Sequence, residues 1–139
     1  MGTGPGTEAF EYALIRVVPR VERGEAINAG VILSCPGVEF LDARVELDEA
    51  MVLALDETLD MTIVRAHLAT IPAICAGSPD AGPIAALPQR QRFHWLVSPR
   101  STVIQMSPVH TGRTGDPQRC LERLVERMVR RPGHRSPGR

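Results

Sequence analysis

Residues 29–35, A-G-V-I-L-S-C, constrain the fold of this chain more than any other stretch. They are almost entirely apolar and about as long as an ordinary strand, so they predict a central strand of a β-sheet. A Pro36-Gly37 turn follows directly, and residues 40–47 then alternate between apolar and charged side chains. That alternation is typical of an antiparallel strand with one face in water.

Another strand is predicted before the central one. Residues 11–18, E-Y-A-L-I-R-V-V, are rich in β-branched side chains, and Pro19 ends the stretch that can pair in a sheet. Residues 20–27 then form a charged turn around Gly24, and the Asn-Ala-Gly triplet at 28–30 predicts a bulge or a close backbone approach. Three consecutive strands with short links predict an antiparallel meander.

Helix signals begin after the third strand. Asp48 and Asp60 each stand where an N-cap is expected, ahead of apolar residues at helical spacing. Pro72 is expected to kink or end the second helix. Residues 77–91 carry several glycines and prolines, and they are expected to form a long loop.

The second half of the chain predicts a hairpin and one more helix. Residues 92–98 and 101–107 are strand candidates around a Pro99-Arg100 turn. Asp116-Pro117 is a cap followed by an N1 proline, and it predicts a C-terminal helix with an apolar stripe and an Arg-rich wet face. Pro132 is expected to end that helix.

These segments together predict an α+β fold with about five mostly antiparallel strands in one sheet, and with two or three helices covering one face of it. A chain of 139 residues is expected to form a single domain, here over residues 10–131. Residues 1–9 and the basic residues 132–139 are expected to be disordered segments.

Cysteine placement argues against a metal site. Cys35, Cys75 and Cys120 are widely spaced, none belongs to a C-x-x-C pair, and none sits beside a histidine. We expect free thiols in a reducing compartment. The chain starts without the basic and apolar stretches of a signal peptide, and no run approaches about 18 apolar residues. The sequence therefore predicts a cytoplasmic protein with no metal, no cofactor and no membrane contact.

The charges balance overall but are unevenly distributed. The 16 basic residues are all arginine, and they match 16 aspartates and glutamates. Without lysine, neither Schiff-base chemistry nor a Walker-type phosphate loop is available. Most arginines follow residue 80, which predicts an Arg-rich surface at the C-terminal helix and tail. No aromatic platform accompanies it, so nucleic acid is the least favoured partner.

The densest polar group lies around the first turn. Arg16 interrupts an apolar strand and shares a face with Tyr12 and Leu14, and a guanidinium there needs an acid or a bound anion. Three arrangements would satisfy the charge of Arg16. It could pair with Glu25 or Glu22, lie in water at an edge of the sheet, or bind a phosphate or carboxylate. The candidate ligand-binding residues here are Arg16, Arg20, Glu22, Glu25 and Asn28.

A second candidate group surrounds the predicted second hairpin, and its members are His94, Arg100 and His110. Arg100 would lie at one end of that hairpin and His110 at the other, about 20 Å away, so a compact site would use one end only. Trp95 is the one tryptophan of the chain, and it is expected in the core.

Two segments resemble a known family. Residues 12–33, Y-A-L-I-R-V-V-P-R-V-E-R-G-E-A-I-N-A-G-V-I-L, resemble the opening signature of the family catalogued as domain of unknown function 3037. Residues 93–110, F-H-W-L-V-S-P-R-S-T-V-I-Q-M-S-P-V-H, look like its second block. The resemblance implies a bacterial protein encoded beside a HipA-like kinase, and so a shared pathway or complex. It carries no catalytic residue onto this chain.

Three functional hypotheses follow. The first is a small non-enzymatic accessory or interaction module that works with a HipA-like kinase. The second is an enzyme or binding domain for a phosphorylated or carboxylated small molecule, held by Arg16 and its neighbours. The third is nucleic-acid binding through the Arg-rich C-terminal helix. No catalytic residue set is complete, so whether the chain is an enzyme stays open.

Overall fold

The computed structural model describes residues 6–100 and 102–130, and it contains one antiparallel sheet with helices packed on it. The five strands of this part of the chain are β1 (Glu8–Val17), β2 (Ile27–Cys35), β3 (Phe40–Val45), β4 (Ile104–Met106) and β5 (His110–Thr114). Their order is β3-β2-β1, and β4 and β5 both pair with the free side of β1. The predicted α+β class and the meander of the first three strands are confirmed.

Four α-helices complete the described residues. They are α1 (Glu49–Leu55), α2 (Met61–Ala76), α3 (Gln89–Leu96) and α4 (Pro117–Met128). The predicted N-caps are confirmed, because Asp48, Asp60 and Asp116 each accept a hydrogen bond from a backbone N–H of the first turn. In the described part of the chain, no helix is both long and apolar enough to span a membrane.

The helices cover both faces of the sheet, whereas one covered face was predicted. On one face, α1, α2 and α3 bury a large cluster that includes Val52, Leu68 and Phe93. On the other face, α4 packs Leu121 and its neighbours against β1 and β2. Every residue of β2 except Asn28 is buried. A strand that is apolar at nearly every position needs an apolar layer on each side, which is why one layer of helices is not enough.

The predicted second hairpin is wrong. Residues 92–96 belong to helix α3, and of the strand predicted over 101–107 only β4 forms, while β5 starts at His110, which was expected in a loop. Phe93 and Leu96 are three positions apart and both face the core, and that spacing belongs to a helix. Aromatic residues favour strands in isolation, but burial of this pair overrides the local preference.

Two smaller differences concern α2 and the segment after it. Pro72 does not end the helix, which continues to Ala76 because Ile74 and Cys75 are buried in the core. The helix ends at Gly77, whose φ of 68° is the left-handed conformation that glycine adopts freely. The predicted loop holds two short 3₁₀ turns before α3 begins. The predictions for residues 1–5, for Pro132 and for the C-terminal tail lie outside the described residues.

A serine hydroxyl completes the pairing of the edge strands. β4 and β5 lie end to end along β1, and Ser107 sits between them. Its backbone N–H donates to the Leu14 carbonyl at 2.9 Å, and its Oγ accepts from the Leu14 N–H at 2.8 Å. The hydroxyl therefore takes the place of a missing backbone acceptor in the sheet.

We expect Ser107→Ala to lower the free energy of unfolding by about 1–3 kcal/mol, because the buried Leu14 N–H loses its acceptor. Urea denaturation measures this as a lower midpoint with an unchanged slope. Ser78→Ala is the matched control, since the Ser78 hydroxyl makes no capping hydrogen bond where it precedes a 3₁₀ turn. Equal midpoints for the two variants would contradict the assigned role.

Candidate functional site

Arg16 lies where β1 is irregular. It pairs with Asn28 of β2 on one side and with Gln105 of β4 on the other. The register with β2 shifts between Ile15, which pairs with Gly30, and Arg16. This irregularity is the bulge predicted from the Asn-Ala-Gly triplet. Bulges redirect side chains and are common beside functional sites.

The Arg16 side chain lines a cleft of about 330 Å³. The cleft lies between the end of β1, the β1–β2 loop, β4 and Arg100. Its polar lining includes Arg16, Arg100 and Gln105, and its apolar lining includes Val18 and Val21. Small-molecule sites begin at about this volume, roughly 300 Å³. We call it the Arg16 cleft.

No carboxylate pairs with Arg16 among the residues that the structure describes. Its Nε donates to Asn28 Oδ1 over a long 3.4 Å. Glu25, which the sequence offered as a partner, instead accepts two hydrogen bonds from Arg23 at 2.8 and 3.1 Å. Neither Glu25 nor Glu22 forms an ion pair with Arg16. The half-buried guanidinium therefore keeps most of its donors for another acceptor.

Asn28 orients the Arg16 side chain through a hydrogen bond. Its Nδ2 donates to the Met128 carbonyl at the end of α4 at 2.9 Å, which directs Oδ1 toward the guanidinium. The amide therefore links the bulge of the sheet to α4 and orients Arg16. This contact explains why the one half-buried position of β2 is occupied by asparagine.

Arg100 is held in place by the end of α3. Its two terminal nitrogens donate to the carbonyls of Leu96 at 3.0 Å and Trp95 at 2.8 Å. The guanidinium carbon also lies 4.4 Å from the centroid of the Trp95 ring. Carbonyls at a helix C-terminus attract cations, so this position suits an arginine. Arg100 brings a second positive charge to the Arg16 cleft.

The remaining candidates of the first turn are not among the described residues that line the cleft. Arg20, Glu22 and Glu25 are exposed on the β1–β2 loop. Arg20 lies 3.6 Å from Asp56, beyond the end of α1. Hydrogen bonds from Thr58, together with the charge of Arg20, lower the pKa of the Asp56 carboxyl. The pair of Arg20 and Asp56 connects α1 to the β1–β2 loop, which contributes Val21 and Gly24 to the cleft.

The two histidine candidates are also elsewhere. His94 is exposed on α3, with its Nε2 3.2 Å from a terminal nitrogen of Arg90. His110 is exposed on β5, where its ring lies 5.2 Å from the ring of Tyr12. The structure therefore brings Arg16 and Arg100 together and separates both histidines from them.

Sequence reasoning missed two features of this site. Gln105 was not among the candidates, because only the pairing of β4 with β1 places it beside Arg16. Trp95 was expected in the core, but 41% of its surface is exposed. Since residues 92–96 are helical, Phe93 occupies the core position and Trp95 points outward, where it stacks on Arg100.

A second cleft of about 350 Å³ runs along α4 beside β3. Four arginines contribute to it, and so do Glu122 and Glu126. Arg130 makes two hydrogen bonds to Glu46, at 2.8 and 2.7 Å, and Arg44 lies 3.7 Å from Glu122. Carboxylates thus offset much of the positive charge of this surface. Nothing in it favours nucleic-acid binding over an ordinary charged helix face.

All three cysteines are free thiols in the structure. Cys35 and Cys75 are buried, and burial raises the pKa of the Cys75 thiol to about 12. Burial also raises the pKa values of Cys35 and Cys120. A thiol with a raised pKa carries little thiolate at neutral pH, so none of the three is activated as a nucleophile. Within residues 6–100 and 102–130, no group of three or more His, Cys, Asp or Glu side chains could hold a metal.

The Cys75 thiol makes stability fall at alkaline pH. Its pKa is about 12 in the folded protein and 9.0 in a free thiol, so the unfolded chain loses the proton first as pH rises. Below pH 9 the protonated Cys75 thiol makes its full contribution to stability. Between the two pKa values the free energy of unfolding falls by about 1.4 kcal/mol per pH unit. We expect Cys75→Ala to lose less stability than wild type as pH rises above 9 in urea titrations. Parallel stability curves for both proteins would contradict this.

Comparison with known proteins identifies a family. The family model described as "Protein of unknown function (DUF3037)" matches residues 12–129, which is most of the chain. The matched residues run from β1 into the end of α4, and they include Arg16, Arg100 and Gln105. No curated protein and no solved structure matches.

Proposed function

Because the chain belongs to the DUF3037 family, whose description assigns no activity, we propose from the geometry alone that it binds a phosphorylated or carboxylated small molecule in the Arg16 cleft. The observation that supports this most is the state of Arg16 itself. Arg16 is a half-buried residue, it lines a cleft, and its guanidinium has no carboxylate partner in the described part of the chain. A charge withdrawn from water without a partner is costly, and a bound anion offsets that cost.

The surroundings of Arg16 strengthen its attraction for an anion. Arg100 contributes a second positive charge to the same cleft. Val18 and Met106 add apolar surface to the wall of the cleft, and a charge beside apolar surface attracts an anion more strongly than the same charge in open water. Gln105 donates one amide N–H to the Thr102 carbonyl at 2.8 Å, which leaves its second N–H for a ligand.

The second cleft is a weaker candidate for the same function. Two of its four arginines are already engaged, since Arg130 binds Glu46 and Arg44 lies near Glu122. An anion entering there would have to compete with these carboxylates. In the Arg16 cleft, among described residues, no such competition exists.

Thermal-shift and calorimetric titrations of the full chain test the proposal. The ligands are inorganic phosphate, citrate, ribose 5-phosphate and adenosine 5′-monophosphate (AMP), with ribose as the uncharged control. We expect at least one anion to raise the melting temperature at about 10 mM, and we expect added salt to weaken its binding. The proposal fails if none of the anions binds, or if ribose stabilises the protein equally.

A specific observation favours a second candidate function. β4 and β5 form one edge of the sheet, and no described strand pairs with their outer side. Such an edge offers backbone donors and acceptors to a strand of another protein. Val109, between the two strands, is 38% exposed. These features support an interaction module, and the family resemblance implies that a HipA-like kinase is its partner.

Co-purification with the neighbouring HipA-like kinase tests this second candidate. A stable complex is expected with the wild-type chain, and Val109→Asp is expected to weaken it. Leu53→Asp is the matched control, because Leu53 on α1 is 37% exposed, almost as much as Val109. The absence of a complex at micromolar concentrations would count against the module.

A further inference from the structure

We propose that the ligand of the Arg16 cleft carries a planar ring beside its anionic group, as nucleoside monophosphates do, and that this ring stacks on the guanidinium of Arg100. The inference rests on the proposed function of the same cleft. It goes further, because it assigns different roles to the two arginines and a chemical class to the ligand.

The Arg100 guanidinium is already partly hydrogen-bonded. Both terminal nitrogens donate to carbonyls at the end of α3, those of Leu96 and Trp95. These two bonds use two of the five N–H groups of the guanidinium, so fewer donors remain for an anion than at Arg16. Besides these remaining N–H groups, the guanidinium can offer a ligand its flat face and its charge.

One face of Arg100 is already stacked. The guanidinium carbon lies 4.4 Å from the centroid of the Trp95 ring, which is the distance of a close cation–π contact. Since Arg100 also lines the cleft, the face away from Trp95 is the one that a ligand can meet. Planar guanidinium groups stack on bases and aromatic rings, and a ring placed there would extend the existing stack by one layer.

Arg16 has the opposite arrangement. Its Nε makes the long contact with Asn28, and among described residues its terminal nitrogens have no acceptor. Both terminal nitrogens of Arg16 are therefore available, and it is the better placed of the two arginines to bind phosphate through two N–H groups. The two roles are compatible with one ligand, since both side chains line one cleft of about 330 Å³. That volume is near the lower limit for small-molecule sites, which favours a mononucleotide over a larger ligand.

The exposure of Trp95 supports the stacking role. Tryptophan is usually highly buried, yet here 41% of the side chain is exposed while Phe93 fills the core position of the same helix. Three contacts with α3 hold Arg100 in a fixed orientation: two hydrogen bonds and the Trp95 ring. A stacking surface that is rigid before binding loses little entropy when a ligand arrives.

The test compares AMP with ribose 5-phosphate, which has the same phosphate and sugar but no base. By calorimetry, we expect wild-type protein to bind AMP at least about tenfold more tightly, the usual scale of one stacked base. AMP should also change the fluorescence of Trp95, the one tryptophan of the chain, more than ribose 5-phosphate does. Arg100→Lys keeps the positive charge but removes the planar guanidinium group. It should therefore abolish the preference for AMP, while ribose 5-phosphate still binds.

Arg113→Lys on β5 is the matched control, because Arg113 lies outside the cleft and donates to Thr7. If Arg100→Lys does not fold, Trp95→Leu replaces it, and the AMP preference should again fall. Equal affinities of wild type for the two ligands would overturn the stacking role and leave anion binding standing. Binding of neither ligand, nor of any other anion, would overturn the proposed function and this inference with it.

Discussion

Replacing Arg16 with alanine is expected to weaken binding of the anion by about thirtyfold to a hundredfold. The change removes charge-assisted hydrogen bonds worth about 2–3 kcal/mol, and about 1.4 kcal/mol corresponds to a factor of ten in affinity. The fold should survive, because the described structure gives Arg16 no ion pair and one long hydrogen bond to Asn28. Calorimetry with the best ligand of the anion series measures the loss.

The controls separate a binding role of Arg16 from a structural one. Arg16→Lys keeps the charge but not the two parallel donors, so it should retain only part of the affinity. Arg23→Ala should bind normally, since Arg23 lies on the exposed loop and is paired with Glu25. A structural arginine would behave differently: its removal would lower the melting temperature and leave the affinity unchanged. That result would refute the assignment.

Replacing Gly30 with alanine is expected to lower the free energy of unfolding by about 3 kcal/mol, near the upper end of the usual cost of overpacking. A Cβ at this position would overlap the Arg44 carbonyl oxygen and lie 3.2 Å from Val45 Cα, both backbone atoms of β3. Backbone atoms of a paired strand cannot rotate away as a flexible side chain can. The strand would have to shift, and the bulge that orients Arg16 would shift with it.

Thermal unfolding measures this effect, and a loss of about 3 kcal/mol corresponds to a melting temperature lower by roughly 10 °C. Gly115→Ala is the matched control. A Cβ there meets only the Gly6 carbonyl oxygen, at an ordinary 3.9 Å. If the Gly30→Ala and Gly115→Ala variants have the same melting temperature, the close approach of β3 does not explain why residue 30 is a glycine.

The parts of the fold that sequence reasoning predicted correctly depend on local chemistry. Asp48, Asp60 and Asp116 cap helices because each carboxylate reaches backbone N–H groups only two or three residues ahead. The first three strands were predicted because short turns join them and their apolar patterns are strong. In each case the residues that decide the structure are neighbours in the chain.

The parts that sequence reasoning missed depend on distant partners. Residues 92–98 were predicted as a strand, but Phe93 and Leu96 become buried together only when α3 packs near α2 on the sheet. β5, H-T-G-R-T, has no apolar pattern, and pairing with β1 alone identifies it as a strand. Neither signal exists within a short window of sequence.

The sequence by itself determined that a guanidinium interrupts an apolar strand, that a glycine marks a bulge beside it, and that three helices start at aspartate caps. Only the tertiary structure decided which side chains line the cleft beside Arg16. Arg100 is far away in the chain, and it reaches the same cleft because β4 pairs with β1 and α3 packs on the sheet beneath it. Such long-range placement follows from burying apolar surface contributed by the whole chain, which is not encoded near either arginine.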